Sequence, residues 1–138
     1  PEMKDPKRKE YFTKAAKGFD DIFQENRGGR AGVYAHMWEG KAREEMGDFL
    51  TALDIYDEVM SAQPEKASAS IAQWLAMFHE VNRYRLMLLG RTKDYERLIE
   101  DATLWMAENA SQKRSKGYQG IALEMAKAHL ERAKTLGG

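Results

Sequence analysis

The stretch GKAREEMGDFLTALDIYDEVMSAQP, residues 40–64, carries helix-compatible sequence on both sides of Gly47 and Asp48 and closes on a proline. Gly47 can adopt the left-handed conformation that terminates a helix, and Asp48 brings a side-chain acceptor to the first turn of the next one. Beyond them Phe49, Ala52, Leu53, Tyr56, Val59 and Met60 recur every three or four residues as one apolar stripe, with Asp54, Asp57 and Glu58 mostly outside it. Pro64 ends this helix. A turn of only about two residues forces its two helices to pack antiparallel. Gly40 and Ala52 lie at similar distances from the turn, where each is expected to leave room for the other backbone.

Working outward, prolines stand only at positions 1, 6 and 64, and no stretch alternates polar and apolar residues, so helix is predicted throughout and sheet nowhere. Asp5 and Pro6 open a first helix over 7–27, with Tyr11, Phe12, Ala15, Phe19, Ile22 and Phe23 at helical spacing, ending before Gly28 and Gly29. A second helix runs from Ala31 to Met46, and the third from Asp48 to Pro64. A fourth, from Glu65 to Leu89, places Ile71, Trp74, Leu75, Phe78, Val81, Arg85 and Leu88 on one face and stops at Gly90. Asp94 caps a fifth, reaching Asn109, whose stripe is Tyr95, Leu98, Ile99, Ala102, Trp105 and Met106. The sixth, Ser115 to Leu136, is rich in alanine and ends on Gly137 and Gly138.

Composition narrows the function classes. With 138 residues the chain can form one domain with its own core, and 43% hydrophobic against 32% charged residues excludes both disorder and a membrane span. Twenty-two basic residues balance 22 acidic ones, so no overall field draws the chain to nucleic acid or to an anionic membrane. Cysteine is absent, which removes disulfides, thiol nucleophiles and cysteine-based zinc sites without fixing the compartment. The chain opens at Pro1 with no basic stretch and apolar run after it, and is expected to be a segment of a longer protein.

The hairpin resembles a tetratricopeptide repeat, whose pattern of roughly 34 residues sets Gly, Ala, an aromatic and Pro at fixed offsets. From Val33 to Lys66, Gly40, Gly47, Asp48, Phe49, Ala52, Tyr56 and Pro64 stand where that pattern expects them. His36, Glu39 and Arg43 depart from it, occupying places usually held by Trp, Leu and Tyr, with Trp38 and Met46 as candidates to supply the missing volume. Glu39 and Arg43, four apart, can pair. Residues 7–27 look like the second helix of a preceding repeat, 31–64 is the best repeat, 65–110 a degenerate one, and 115–136 the first helix of another.

The resemblance implies an all-α domain over 1–138, a right-handed superhelix of about six stacked antiparallel helices whose first helices line a groove for a peptide or partner protein, without cofactor or catalysis. Carried over residue by residue, the groove positions fall on Tyr34, Met37, Lys41 and Glu44, with Lys127 beside Glu124, Glu131 and Lys134 on the sixth helix. The alternative for the second helix is that Tyr34 and Met37 are core while Lys41 and Glu44 form a solvated face. Family members that grip a C-terminal carboxylate use Lys and Asn. Met37 and Lys41 stand at those places here, so that mode is not expected.

Other motifs carry less. His36, His79 and His129 lie on different helices without the spacing of a helical metal site. Gly28, Gly29, Gly32, Gly40 and Lys41 suggest a phosphate loop, but Ala35 and Ala42 replace its first glycine and its Ser or Thr. Asn109–Ala110–Ser111 is a glycosylation sequon, and Lys113, Arg114 and Lys116 read as a solvated loop. The expected function is therefore a non-catalytic interaction scaffold for a protein or peptide, with no nucleic acid and no membrane insertion. The alternatives are an accessory domain positioning a substrate or subunit of a larger enzyme, and an RNA-binding helical repeat. Bare apolar stripes on the first and sixth helices are expected to favour self-association.

Overall fold

The computed structural model describes residues 5–62 and 71–136, and over them the chain is all-helical with no strand. Six α-helices follow in order: α1 Pro6–Glu25, α2 Arg30–Glu45, α3 Phe49–Met60, α4 Ile71–Arg91, α5 Tyr95–Glu108 and α6 Lys116–Leu136, with a short 3-10 turn at Ala110–Gln112. The expected start of the fourth helix at Glu65, and Pro64 itself, lie outside the described residues. Two compact units divide the chain, Pro1–Val81 and Asn82–Gly138, with the boundary inside α4. Among the described residues no helix is long and apolar enough to cross a membrane.

In the first unit, α1 starts as its sequence dictates. Asp5 sits in extended geometry and its carboxylate accepts from the Lys7 amide at 3.0 Å, while Pro6, needing no partner for an N–H, opens the first turn. The chain reverses through residues 26–29, and α2 returns antiparallel along α1, bringing Phe23 onto His36 and Thr13 to Met46. The α2–α3 turn is a Schellman closure. Gly47 has φ 83°, its amide donates to the Glu44 carbonyl at 2.9 Å, and the Asp48 amide reaches back to the Arg43 carbonyl at 3.0 Å.

Gly40 is required by the hairpin it helps to build, but its neighbour is not the one anticipated. A Cβ there would stand 2.7 Å from Cε1 of Tyr56 and 3.1 Å from Cγ2 of Ile55, so the glycine makes room for a tyrosine ring rather than for Ala52. Tyr56 is fully buried, and its hydroxyl donates to Oε1 of the buried Glu44 at 2.9 Å. Ala16, Val33, Met37, Ala52 and Val59 complete the packing of this three-helix core.

In the second unit the turn between α4 and α5 repeats the geometry of the first. Lys93 takes φ 62°, its amide donates to the Gly90 carbonyl at 3.1 Å and the Asp94 amide to the Leu89 carbonyl at 2.8 Å. Gly90 therefore does not stop α4: the helix continues to Arg91, and a lysine bears the left-handed strain. Aligned on the turn, Leu86 stands at the place of Gly40 and Ala102 at the place of Tyr56, both fully buried. Large and small have changed partners across the hairpin.

The buried face of α4 also differs from the expected one. Trp74, Val81, Arg85 and Leu88 are buried as the pattern requires, yet Ile71 and Leu75 are exposed, and Met77, Leu86 and Leu89 are buried in addition. Arg85 is held by Asp101 on α5, Nη1 to Oδ2 at 2.8 Å. On α6, Ile121 and Ala128 are buried, whereas Leu123, Leu130 and Leu136 are exposed.

Candidate binding surface

α2 is buried on most of its circumference, because α1 and α3 both pack against it. One stripe stays open. Arg30 and Glu45 are exposed, and Tyr34, Trp38 and Lys41 half-buried between them, at the four- and three-residue steps of a single helix face. The ring of Tyr34 meets that of Trp38 edge-on at 6.1 Å, and its hydroxyl lies 3.4 Å from Oε2 of Glu80 on α4.

The expected groove residues divide across this arrangement. Tyr34 and Lys41 belong to the open stripe. Met37 is fully buried, and Glu44, which accepts from Tyr56, is shut in as well. Lys41 Nζ lies 3.8 Å from Oε1 of Glu44, so the lysine closes over the buried carboxylate. Lys127 lies in the second unit, well exposed, with Nζ 3.2 Å from Oε1 of Glu124. Glu124 is itself buried, beside Arg83 at 3.5 Å, and Lys134 pairs with Glu131 at 3.0 Å.

Beside the open stripe of α2 the structure places a cleft. Phe12, Ala15 and Phe19 of α1 form one wall and Trp38 and Ala42 of α2 the other, enclosing about 200 Å³, with Lys41 and Glu45 at its rim. Such a cleft accepts an apolar side chain, and its charged rim can orient a polar neighbour. Trp38 thus lines an open cleft instead of filling the core of α2. The residue pattern of α1 already held the first wall, but nothing in the sequence marked Trp38 as its opposite.

The departures on α2 from the repeat pattern prove to be a polar network in which His36 and Glu39 are buried while Arg43 is half-buried. The imidazole of His36 stacks on Phe23 with centroids 3.9 Å apart, its Nδ1 lies 3.1 Å from Oε1 of Glu39, and its Nε2 lies 2.6 Å from Oε2 of Glu58 on α3. Both ring nitrogens face carboxylates, so both contacts are hydrogen bonds only when the ring is doubly protonated or a carboxyl carries the proton. Burial pushes the Glu39 carboxyl above its ordinary value. Asp20 adds to the rise, while the His36 hydrogen bond and charge and Arg43 oppose it. The expected Glu39–Arg43 pair is present at 4.0 Å. His36 thereby ties α1, α2 and α3 together.

Among the described residues no three His, Asp or Glu side chains are gathered so as to hold a metal ion. Apolar side chains stand exposed on both α1, at Tyr11 and Ile22, and α6, at Leu123 and Leu130. Comparison with family models, with curated proteins and with solved structures returned no match, so the tetratricopeptide resemblance stands on the residues from Val33 to Lys66 alone.

Proposed function

We propose that the chain is a non-catalytic binding module of the tetratricopeptide kind, whose α1/α2 cleft takes an apolar side chain from a peptide or partner protein. The observation that carries this reading is the cleft between Phe12, Phe19 and Trp38, open to solvent beside the half-buried stripe of Tyr34 and Lys41. A soluble chain leaves large apolar side chains lining a concavity at an energetic cost, and occupation by a partner recovers it. The repeat assignment draws support from the two Schellman turns at Gly47 and Lys93, each followed by Asp and an aromatic residue.

Selection of peptides from a displayed random library against the intact chain tests the proposal. Peptides that bind are expected to lose at least about tenfold in affinity, near 1.4 kcal/mol, on Ala15→Arg, which fills the cleft from its α1 wall, and on Trp38→Ala. Circular dichroism of both variants checks that the helices persist. Binders indifferent to both substitutions would remove the cleft from the function.

A further inference from the structure

The apolar residues that α1 leaves open follow heptad steps. Tyr11, Ala15, Gly18 and Ile22 are spaced four, three and four apart and so lie on one face. Tyr11 is 70% exposed and Ile22 45%, and a Cβ added at Gly18 would meet nothing within 4 Å. Along the flank of this seam that faces away from α2 run Lys7, Lys14, Asp21 and Glu25, all exposed. The basic pair lies towards the N-terminus of the helix and the acidic pair towards its C-terminus.

We propose that α1 pairs antiparallel with α1 of a second copy of this chain, about a two-fold axis passing between Ala15 and Gly18. This rests on the reading of the α1/α2 face as a contact surface and names its occupant. In that register Tyr11 meets Ile22 of the partner subunit and Ala15 meets Gly18 of the partner subunit. Small residues at the centre let the helices approach, and large ones close the ends.

Charge selects both the partner and its direction. A two-fold axis keeps each flank on its own side of the pair, so Lys7 comes beside Glu25 of the partner subunit and Lys14 beside Asp21 of the partner subunit, each contact occurring twice. A parallel two-fold pairing would turn this charged flank towards the opposite flank of the partner helix, where Phe12 and Phe19 lie, and would leave these ion pairs unmade. Inside α1, Lys14 lies 3.1 Å from Glu10 and Asp21 lies 3.2 Å from Lys17, but all four side chains are more than half exposed. Such pairs contribute little in water and rearrange readily when a better partner arrives.

Sedimentation equilibrium of the full chain over a wide concentration range tests the pairing. The wild type is expected to form a dimer that weakens as salt rises. Lys7→Glu with Lys14→Glu, and separately Asp21→Lys with Glu25→Lys, should each weaken it at least about tenfold by turning attraction into repulsion. An equal mixture of the two double variants should form a heterodimer, since every reversed contact is then again opposite in sign. Gly18→Arg fills the seam without touching the fold and should give a monomer of unchanged helicity.

A wild type that stays monomeric at the highest concentration, a dimer untouched by Gly18→Arg, or double variants that fail to combine would each overturn the proposal. The two readings separate cleanly. If the chain is monomeric while library peptides still lose affinity on Ala15→Arg, the self-pairing falls and the binding cleft stands. If a dimer forms regardless of the α1 variants and the peptides ignore Ala15→Arg, both fall.

Discussion

Adding one methyl group at Gly40 should destabilise the fold, although the same change in an open helix stabilises it. In a helix interior alanine is favoured over glycine by about 1 kcal/mol. At Gly40 the new carbon would lie 2.7 and 3.0 Å from two carbons of the Tyr56 ring and 3.1 Å from Ile55 Cγ2. The ring has little freedom to withdraw, being fully buried with its hydroxyl 2.9 Å from the buried Glu44 carboxylate. Overpacking of this kind costs about 1–3 kcal/mol, so Gly40→Ala is expected to lose about 1–2 kcal/mol once a steric cost at the upper end of that range is set against the helix gain. For a chain of this size that is a fall in Tm of about 3–8 °C. Gly18→Ala, where nothing lies within 4 Å, is the control and should gain about 1 kcal/mol in dilute solution. Replacing Tyr56 by Leu shortens the side chain that Gly40 accommodates, so the cost of Gly40→Ala should shrink by about 1 kcal/mol in that background. Denaturant unfolding monitored by circular dichroism reads the four variants, single and double, against the wild type. If Gly40→Ala stabilises as Gly18→Ala does, the α2–α3 hairpin is not packed through Tyr56 and the reasoning is wrong.

Lys93→Gly should stabilise the chain by about 0.5–1 kcal/mol in the same assay, since Lys93 holds φ 62° in a turn where Gly47 does the equivalent work unstrained. Gly47→Ala should cost about 1 kcal/mol by introducing that strain at φ 83°, and an unchanged midpoint would count against the Schellman geometry. Tyr56→Phe removes the hydroxyl that donates to the buried Glu44 carboxylate and is expected to cost about 1.5–3 kcal/mol, read as a lower urea midpoint at unchanged slope. The raised carboxyl of Glu39 binds its proton more tightly in the folded state than in the unfolded one, so its contribution to stability is greatest below about pH 4.5 and declines as pH rises through the folded value. Glu39→Gln should remove that decline, and stability profiles of wild type and variant that stay parallel from pH 4 to 7 would contradict it.

The architecture was legible because its signals are local. Asp5 before Pro6, the Gly47–Asp48 pair and the apolar stripe of α3 each specify a cap, a stop or a face within a few residues, and α1, α2 and α3 fall close to their expected limits. The signal failed where a turn was closed by an unusual residue. Gly90 offered the conformation that ends a helix, but the chain ran on and Lys93 accepted it, giving the carbonyls of Gly90 and Leu89 their donors in the Lys93 and Asp94 amides. Gly32 shows the converse: a Cβ there would run into the Asn26 carbonyl at the end of α1, a close approach that no pattern within α2 announces. The weaker match of the second hairpin also has a physical source. With Leu86 and Ala102 in place of a glycine and a tyrosine, the volume across the hairpin is kept while the identities that carry the pattern are lost.

The candidate site was harder to read than the fold because α2 is covered on most sides, so hydrophobic periodicity does not say which stripe remains open. One residue of offset turns a helix position through about 100°, enough to move from Met37, wholly buried, to Trp38, which lines the cleft. The same helix contains Glu39 and His36, charged or polar in sequence and buried in fact, because their partners Phe23 and Glu58 come from helices on either side. Those contacts explain why the departures from the repeat pattern do not unmake the hairpin. The stack of His36 on Phe23 of α1 and its hydrogen bond to Glu58 of α3 fix the rotation of α2 against both neighbours, since a turn of one residue would break both at once, while the contact to Glu39 stays within α2 and moves with it. It is that fixed rotation which turns Met37 inward and holds Tyr34, Trp38 and Lys41 towards the surface, so the polar contacts of α2 set the stripe that stays open.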